Sequence, residues 1–317
     1  MRAGAFALCL LSVPLNVHVL EALEEEPKSL IDLRQAVGSP PQTTMRGHLR
    51  TLTELGVVER RHDREFPGRV DYELAGPGRR LLEVARVVQS WLDRAPDGPI
   101  ELGTPAGKST IKSLAEGWSS GVVRALAAKP LALTELSLVI TGLSYPSLER
   151  RLGAMRMAGL IERCPGNGRG TPYAVTAFLR AAMTPLAAAA RWERTLLPSE
   201  AAPLGRIDVE AAFLLVLPRL RLPEELSGTC RLVVELRGNG ERRFAGVLVG
   251  VEEGKLVSCQ TRLEGEATAW TVGTSPAWLC AGLEGDIEEL EVGGDCDLAY
   301  ALLRGLARVP SPVGDRA

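Results

Sequence analysis

The sequence predicts an α+β chain in which a helical module ending in a strand pair is stated twice, followed by a small α/β domain with an antiparallel sheet. Three observations predict it. Sliding the chain against itself aligns Ala22 with Ala125, Pro27 with Pro130, Leu33 with Leu136, Leu49 with Leu152 and Gly56 with Gly159, so one pattern recurs at a fixed offset. The apolar spacing is helical through most of the first 198 residues and strand-like after them. A chain of 317 residues also exceeds one ordinary domain of roughly 100–200 residues. The expected boundaries are 1–97 for copy one, 98–110 for a linker, 111–198 for copy two, 199–206 for a second linker and 207–312 for the last domain.

The start, "MRAGAFALCLLSVPLNVHVL", pairs Arg2 with an apolar run in the manner of a secretory signal. Pro14 and Asn16 interrupt that run, no small-x-small site follows, and Val17, Leu20 and Leu23 continue at helical spacing, so it is expected to fold with copy one. No stretch reaches the roughly 18 apolar residues of a membrane span. No membrane partner and a cytoplasmic location are therefore expected.

The first helix of each copy ends at "EALEEEP" or "RALAAKP", where proline cannot continue it. A short second helix follows, with Leu30 and Leu33, or Leu133 and Leu136, facing inward. The turns "SPPQTT" and "GLSYPS" lead to a third helix that places Met45, Leu49 and Leu52, or Leu148, Leu152 and Met155, on one face. Gly56 and Gly159 close it, because the residue past a helix end often takes a left-handed conformation. The stretches "VVE" and "LIE" read as a strand, "EFPGRV" and "PGNGRGTP" as a turn, and "DYEL" and "YAVT" as the returning strand. The offset falls between Arg60 and Tyr72, since Tyr72 aligns with Tyr173 and Trp91 with Trp192. The trailing helices "GRRLLEVARVVQSWL" and "LRAAMTPLAAAARWERTLL" have apolar faces wide enough to need a partner, either each other or a second chain.

Two helices meeting at a short turn, followed by a two-stranded wing, make a winged helix-turn-helix. An α-helix fits the major groove of duplex DNA, and a wing can rest on phosphate or in the minor groove. The residues left on the outside of the third helix suit that use: Gln42, Thr43, Thr44, Arg46 and Arg50 in copy one, and Tyr145, Ser147, Arg150 and Arg151 in copy two. Arg69 and Arg169 sit in the wing turns, with Arg60, Arg61, Arg64 and Arg163 nearby. Glu149 dissents; it either accepts from a cytosine amino group or marks copy two as the weaker binder. The alternative is a fold reused for protein contacts, its arginines solvated. Charge favours a polyanion near the middle of the chain, where residues 98–198 carry 12 basic against 6 acidic side chains, while residues 199–317 carry 12 against 19.

With those residues in view, 10–95 and 111–197 both resemble HxlR-type winged-helix transcriptional regulators, a bacterial group related to the MarR regulators. The resemblance implies double-stranded DNA as partner. Single winged helices of that group dimerise through terminal helices, so a tandem implies a pseudo-dimer within one chain, with a homodimer of whole chains a further partner to consider.

Catalytic signatures fail in turn. "GTPAGKST" (103–110) has three residues, where a phosphate-binding P-loop needs four, between its first glycine and Gly-Lys. "GWSSG" (117–121) fits a nucleophile elbow, yet His18, His48 and His62 all precede Ser119, the wrong chain order for that fold. "GNGRG" (166–170) reads as a wing turn. The six cysteines are scattered without a Cys-x-x-Cys pair, which points to buried reduced thiols and no metal. No enzymatic activity and no cofactor are expected.

In the last domain "CRLVVEL", "RRFAGVLVGV" and "GKLVSCQ" read as antiparallel strands separated by turns. A helix is expected from Ser275-Pro276, with Ser275 as its cap, then a strand "IEELEV" and a helix "DLAYALLRGLARV" whose start Asp295 and Asp297 favour. Residues 207–309 are similar to sterol carrier protein type two domains. That likeness implies an apolar cavity and a hydrophobic small-molecule effector, with Phe213, Leu248, Trp270 and Trp278 as lining, although such residues are more often ordinary core. The rival reading of the whole chain is a lipid-binding or protein-interaction module whose winged helices do not bind DNA.

Overall fold

Ser12 and Val13 separate two short helices, α1 (Ala5–Leu11) and α2 (Pro14–Ala22), which meet at a 79° bend. The fixed φ of Pro14 suits the first turn of a helix, so the break falls where proline is tolerated. Asn16 is buried because its amide donates to the Leu10 carbonyl at 3.0 Å and its oxygen lies 2.9 Å from His48 Nδ1. The computed structural model describes residues 3–62, 70–115, 119–165, 170–198, 201–238 and 241–308.

In copy one, Ser29 caps α3 (Leu30–Ala36) by accepting from the Asp32 amide, and α4 (Gln42–Glu54) buries Met45, Leu49 and Leu52. Leu33 is fully buried, whereas Leu30 is only half-buried. Gly56 takes φ +65°, the left-handed turn that ends α4. The wing strands β2 (Val58–His62) and β3 (Val70–Leu74) pair antiparallel from Val58↔Leu74 to His62↔Val70, and β1 (Lys28–Ser29) adds a third strand at Lys28↔Tyr72. The long helix α5 (Gly76–Leu92) follows.

The expected linker 98–110 is more ordered than its composition suggests. Gln89 of α5 donates to Ile100 O at 3.0 Å and accepts from Leu102 N at 2.7 Å. Helix α6 (Pro105–Ala115) then begins, with Thr104 Oγ1 accepting from Gly107 N. A Cβ on Gly107 would lie 2.7 Å from Glu101 O, so close packing explains that glycine of the Gly-Lys pattern.

Residues beyond 118 repeat the order of elements: α7 (Ser119–Ala128), α8 (Leu133–Val139), α9 (Tyr145–Met157), β4 (Ile161–Arg163) and β5 (Tyr173–Val175). The likeness extends to register. Ile161↔Val175 stands where Val58↔Leu74 does, and the bridge Leu131↔Tyr173 where Lys28↔Tyr72 does. Leu148, Leu152 and Met155 are buried, and Gly159 takes φ +68°. The trailing segment differs from the single helix expected: it divides into α10 (Ala177–Ala181) and α11 (Met183–Leu196). Pro185 lacks the N–H that would bond back to Ala181, so an unbroken helix loses a rung there.

Contacts group the chain into two units: Gly4–Ala115 with Ala188–Ala201, and Met1–Ala3 with Glu116–Ala187 and Ala202–Ala317. In the first unit, Trp192 donates its indole N–H to Pro77 O at 2.9 Å, and Trp91 and Trp192 are both buried. The trailing helices thus find their partner within the chain. Glu193, 1% exposed, accepts from Gly4 N and Ala7 N, both at 2.9 Å, at the start of α1. Burial pushes its carboxyl pKa up, while the Ala7 and Gly4 amides oppose the shift. A carboxyl raised in the folded state contributes stability that is full below its unfolded pKa and is lost as pH rises through the folded one. The stability of wild type relative to Glu193→Gln is therefore expected to decrease with rising pH over that interval, as urea unfolding at stepped pH would read. A difference that grows with pH would contradict it.

The second unit holds the sheet. Its strands β6 (Gly228–Gly238), β7 (Glu241–Glu252), β8 (Lys255–Gln260), β9 (Ala269–Thr274) and β10 (Glu291–Gly294) lie in the order β10-β9-β6-β7-β8. The sheet is not purely antiparallel as expected. β9 crosses to the far side of β6 and runs parallel to it, pairing Cys230 with Ala269 through Glu235 with Thr274. Strand β9 was not legible, and β10 starts only at Glu291 within the expected "IEELEV". Thr274, not Ser275, caps α13 (Ser275–Glu284) by accepting from Ala277 N. Asp295 accepts from Leu298 N at the start of α14 (Cys296–Arg308), as the flanking aspartates suggested. Cys230, Leu232, Val234 and Leu236 of β6 form one core with Val247, Val249, Phe213, Leu298 and Leu302.

A further helix, α12 (Arg206–Val216), was missed by sequence reasoning. Val209, Glu210, Ala211, Phe213, Leu214 and Leu215 are all buried on it, so it shows no clean amphipathic period. It packs on α7 as well as on β7, and its polar contacts tie the copy-two elements to the sheet. Ser120 donates to Asp208, Arg124 to Glu210 and Arg206 to Glu210, while the Arg180 guanidinium donates to Leu214 O at 3.2 Å and Leu215 O at 3.0 Å. Glu210 itself is 1% exposed.

Candidate nucleic-acid interface

The polar residues expected at the start of α4 are all on its outside: Gln42, Thr43, Thr44, Arg46 and Arg50 are exposed, opposite the buried row Met45, Leu49 and Leu52. Between α4 and the wing lies a cleft of about 450 Å³ lined by Leu30, Leu49, Thr53, Glu54, Val70, Tyr72 and three arginines, Arg46, Arg50 and Arg60. The i, i+4 spacing of Arg46 and Arg50 puts both on the side of the helix that faces β2, and Arg60 meets them from the second strand position past Val58. Arg50 also reaches Glu54 at 3.7 Å, with both side chains largely exposed, a pairing of small energetic weight. Arg61 points to Glu73 at 3.1 Å instead.

Three guanidiniums around one concave space, above an apolar floor, make a seat for a planar or tetrahedral oxyanion; each offers several N–H donors in a fixed fork. The grouping of Arg60 with Arg46 and Arg50 was not legible, because their proximity depends on how the wing folds back beside the helix. Thr53 and Tyr72 join the same lining without any earlier signal. Arg64, Arg69 and Arg169 lie outside the described residues.

The equivalent surface of the second copy is chemically different. Arg46 and Arg50 correspond to Glu149 and Gly153, and Glu54 to Met157, which is 76% exposed. Arg163, in the place of Arg60, lies with its guanidinium carbon 5.7 Å from the centre of the Tyr173 ring. Tyr145 and Arg150 are exposed, while Ser147 and Arg151 are half-buried. The expected residues of α9 are thus brought to one helix, without a three-arginine lining like that of copy one.

The four residues expected to line an apolar cavity do not share one. Phe213 and Trp278 meet edge to face at 5.2 Å and 84°, and the Trp278 indole donates to Val233 O at 2.8 Å. Leu248 and Trp270 both stand opposite Arg231, so they belong to the other face of the sheet, alternating with the core positions Val247, Val249 and Ala269. Period-two alternation separates them, which single-residue choices could not reveal. The thiols are also less uniform than expected. Cys230 is buried, with its pKa pushed up to about 12 by desolvation, whereas Cys9 and Cys296 are exposed.

Among the described residues, no single helix is long and apolar enough to cross a membrane. Residues 14–97 match the family model described as HxlR-like helix-turn-helix. That family comprises DNA-binding transcription regulators, and the match covers α2 to α5 with the wing between them. No curated protein matches the chain.

Proposed function

We propose that this chain is a transcription regulator that grips duplex DNA mainly through its first module, with α4 in the major groove and the wing beside the backbone. The observation that carries the reading is the convergence of Arg46, Arg50 and Arg60 on one cleft next to the exposed polar start of α4. Arginines sharing a concave seat suit a phosphate, which fixes register, and leave Gln42, Thr43 and Thr44 for base edges. The second module is a further winged helix in tandem, in keeping with its matching register and buried positions, and it serves the DNA contact less directly.

The proposed mode of action is binding alone, with no catalytic step. In support, the Gly-Lys resemblance near residue 107 is accounted for by tight packing at the start of α6. The reading does not require an apolar effector: Phe213 and Trp278 already cover one another, and Leu248 and Trp270 face away from them. Salt titration of the full chain on random-sequence duplex tests the proposal. With three phosphate-seated arginines, log affinity should fall against log salt with a slope of about −2.7 or steeper, at about −0.9 per neutralised phosphate. A slope near zero would exclude a DNA-gripping role.

A further inference from the structure

A duplex phosphate uses only part of the copy-one cleft. The rim holds Arg46, Arg50 and Arg60, but the floor is Leu49 with the half-buried Leu30, Val70 and Tyr72, drawn from α4, α3 and β3. Arg60 stands directly opposite Tyr72 in the strand register, so charge and ring adjoin. A phosphodiester in duplex DNA is flanked by sugars on both sides; it can meet the arginine rim but brings no flat apolar group to that floor. At about 450 Å³ the cleft also has the size of a small-molecule site, such sites running from roughly 300 to 1,000 Å³.

Charge selects the kind of anion. Three guanidiniums outweigh the Glu54 carboxylate by two formal charges. A phosphodiester or a carboxylate brings one negative charge, whereas a phosphomonoester brings nearly two at neutral pH, with three acceptor oxygens for the guanidinium forks. The apolar floor calls for a flat ring on the same molecule, and the Thr53 hydroxyl in the lining suits a polar group on that ring. Copy two does not repeat the arrangement. Its equivalent positions hold Arg156, Arg163 and Glu149, one formal positive charge, and the Arg163 guanidinium carbon lies 5.7 Å from the centre of the Tyr173 ring, the counterpart of Tyr72.

We infer that the copy-one cleft is a binding site for a small phosphomonoester carried on a flat apolar ring, one per chain, and that this ligand and duplex DNA exclude one another. The exclusion rests on the reading of Arg46, Arg50 and Arg60 as phosphate contacts; the ligand site itself does not. Because both occupants need the same guanidiniums, each lowers the affinity of the other by the same factor. A molecule of this class therefore releases the chain from DNA.

Binding of 1-naphthyl phosphate to the full chain at constant ionic strength tests it, with inorganic phosphate as the charge without the ring and 1-naphthol as the ring without the charge. The expected result is one probe per chain, held about tenfold or more tightly than either control and weakened about tenfold in Arg60→Ala, the scale of one charge-assisted contact. Amide shifts of the wild type should move in 46–54 and 70–72, which reads the site without a variant. With probe at about ten times its Kd, the apparent Kd for duplex should rise about elevenfold. Binding no tighter than that of inorganic phosphate would overturn the inference, as would two probes per chain or shifts centred on 145–163. So would a probe that binds in the cleft and leaves DNA affinity unchanged. Duplex ends are the other source of the same chemistry, and tighter binding of duplex with 5′-phosphates than with 5′-hydroxyls would overturn the inference by assigning the cleft to them. A chain that grips duplex with the salt slope given above but takes no probe overturns the inference alone. One that takes the probe through Arg60 but binds no duplex upholds the ligand site and overturns the DNA reading.

Discussion

Replacing Arg46 and Arg50 together with alanine is expected to weaken duplex DNA binding by roughly 10- to 100-fold near 0.1 M salt, at about 1 kcal/mol or more per lost charge-assisted contact. Both side chains are exposed and line the cleft with Arg60, so the variant should fold as wild type does. Because the cleft groups them with a wing residue, the loss should be nearly uniform across sequences, and the salt slope should flatten by about 1.8, twice 0.9. Arg60→Ala should act in the same direction by about half as much. A relaxed sequence preference with an unchanged slope would mean that the two arginines reach bases instead. As a control within the same chain, Arg150→Ala with Arg156→Ala should change affinity far less, since Glu149 and Gly153 stand where Arg46 and Arg50 do in copy one.

Arg124→Leu is expected to destabilise the unit containing α7, α12 and the sheet by about 2 kcal/mol, less than breaking a fully buried ion pair costs, because Arg124 is 34% exposed and Arg206 stays on Glu210. Glu210 is 1% exposed and is held by Arg124 from α7 and by Arg206 from its own helix. Losing Arg124 leaves the carboxylate buried with only a largely exposed partner. The double replacement Arg124→Leu/Glu210→Leu should recover most of the loss, because an apolar pair of fitting volume avoids the desolvation of both charges. Urea unfolding of both variants checks this. Equal stability of wild type and Arg124→Leu would mean that the pair contributes no more than a surface ion pair does. The same contacts bear on how the chain divides. The elements of copy two and the sheet share a helix and the ion pairs around the buried Glu210, so they are expected to unfold together rather than as two domains joined at 199–206.

Helices and strands that are amphipathic and end in proline or glycine were legible from the chain alone. The buried rows Met45, Leu49, Leu52 and Leu148, Leu152, Met155 follow from spacing, and the left-handed Gly56 and Gly159 follow from their place after a helix. The structure extends the repeat to register: Val58 pairs with Leu74 in copy one and Ile161 with Val175 in copy two, at equivalent positions. Helix α12 and strand β9 escaped for opposite reasons. The first is buried on too many sides to show a period, and the second is a short strand whose place depends on a partner far away in sequence.

What the sequence determined by itself is therefore local: element type, the inward face of each amphipathic helix, the internal repeat, and the polar character of the α4 surface. These rest on backbone sterics and on which side chains leave water, both of which act over a few residues. The tertiary structure alone decided that Arg60 joins Arg46 and Arg50, that Trp278 meets Phe213 while Trp270 faces away, and that α12 binds the second module to the sheet. Each of these depends on the crossing of segments distant in the chain. Packing and strand register set that crossing, and no short-range pattern encodes it.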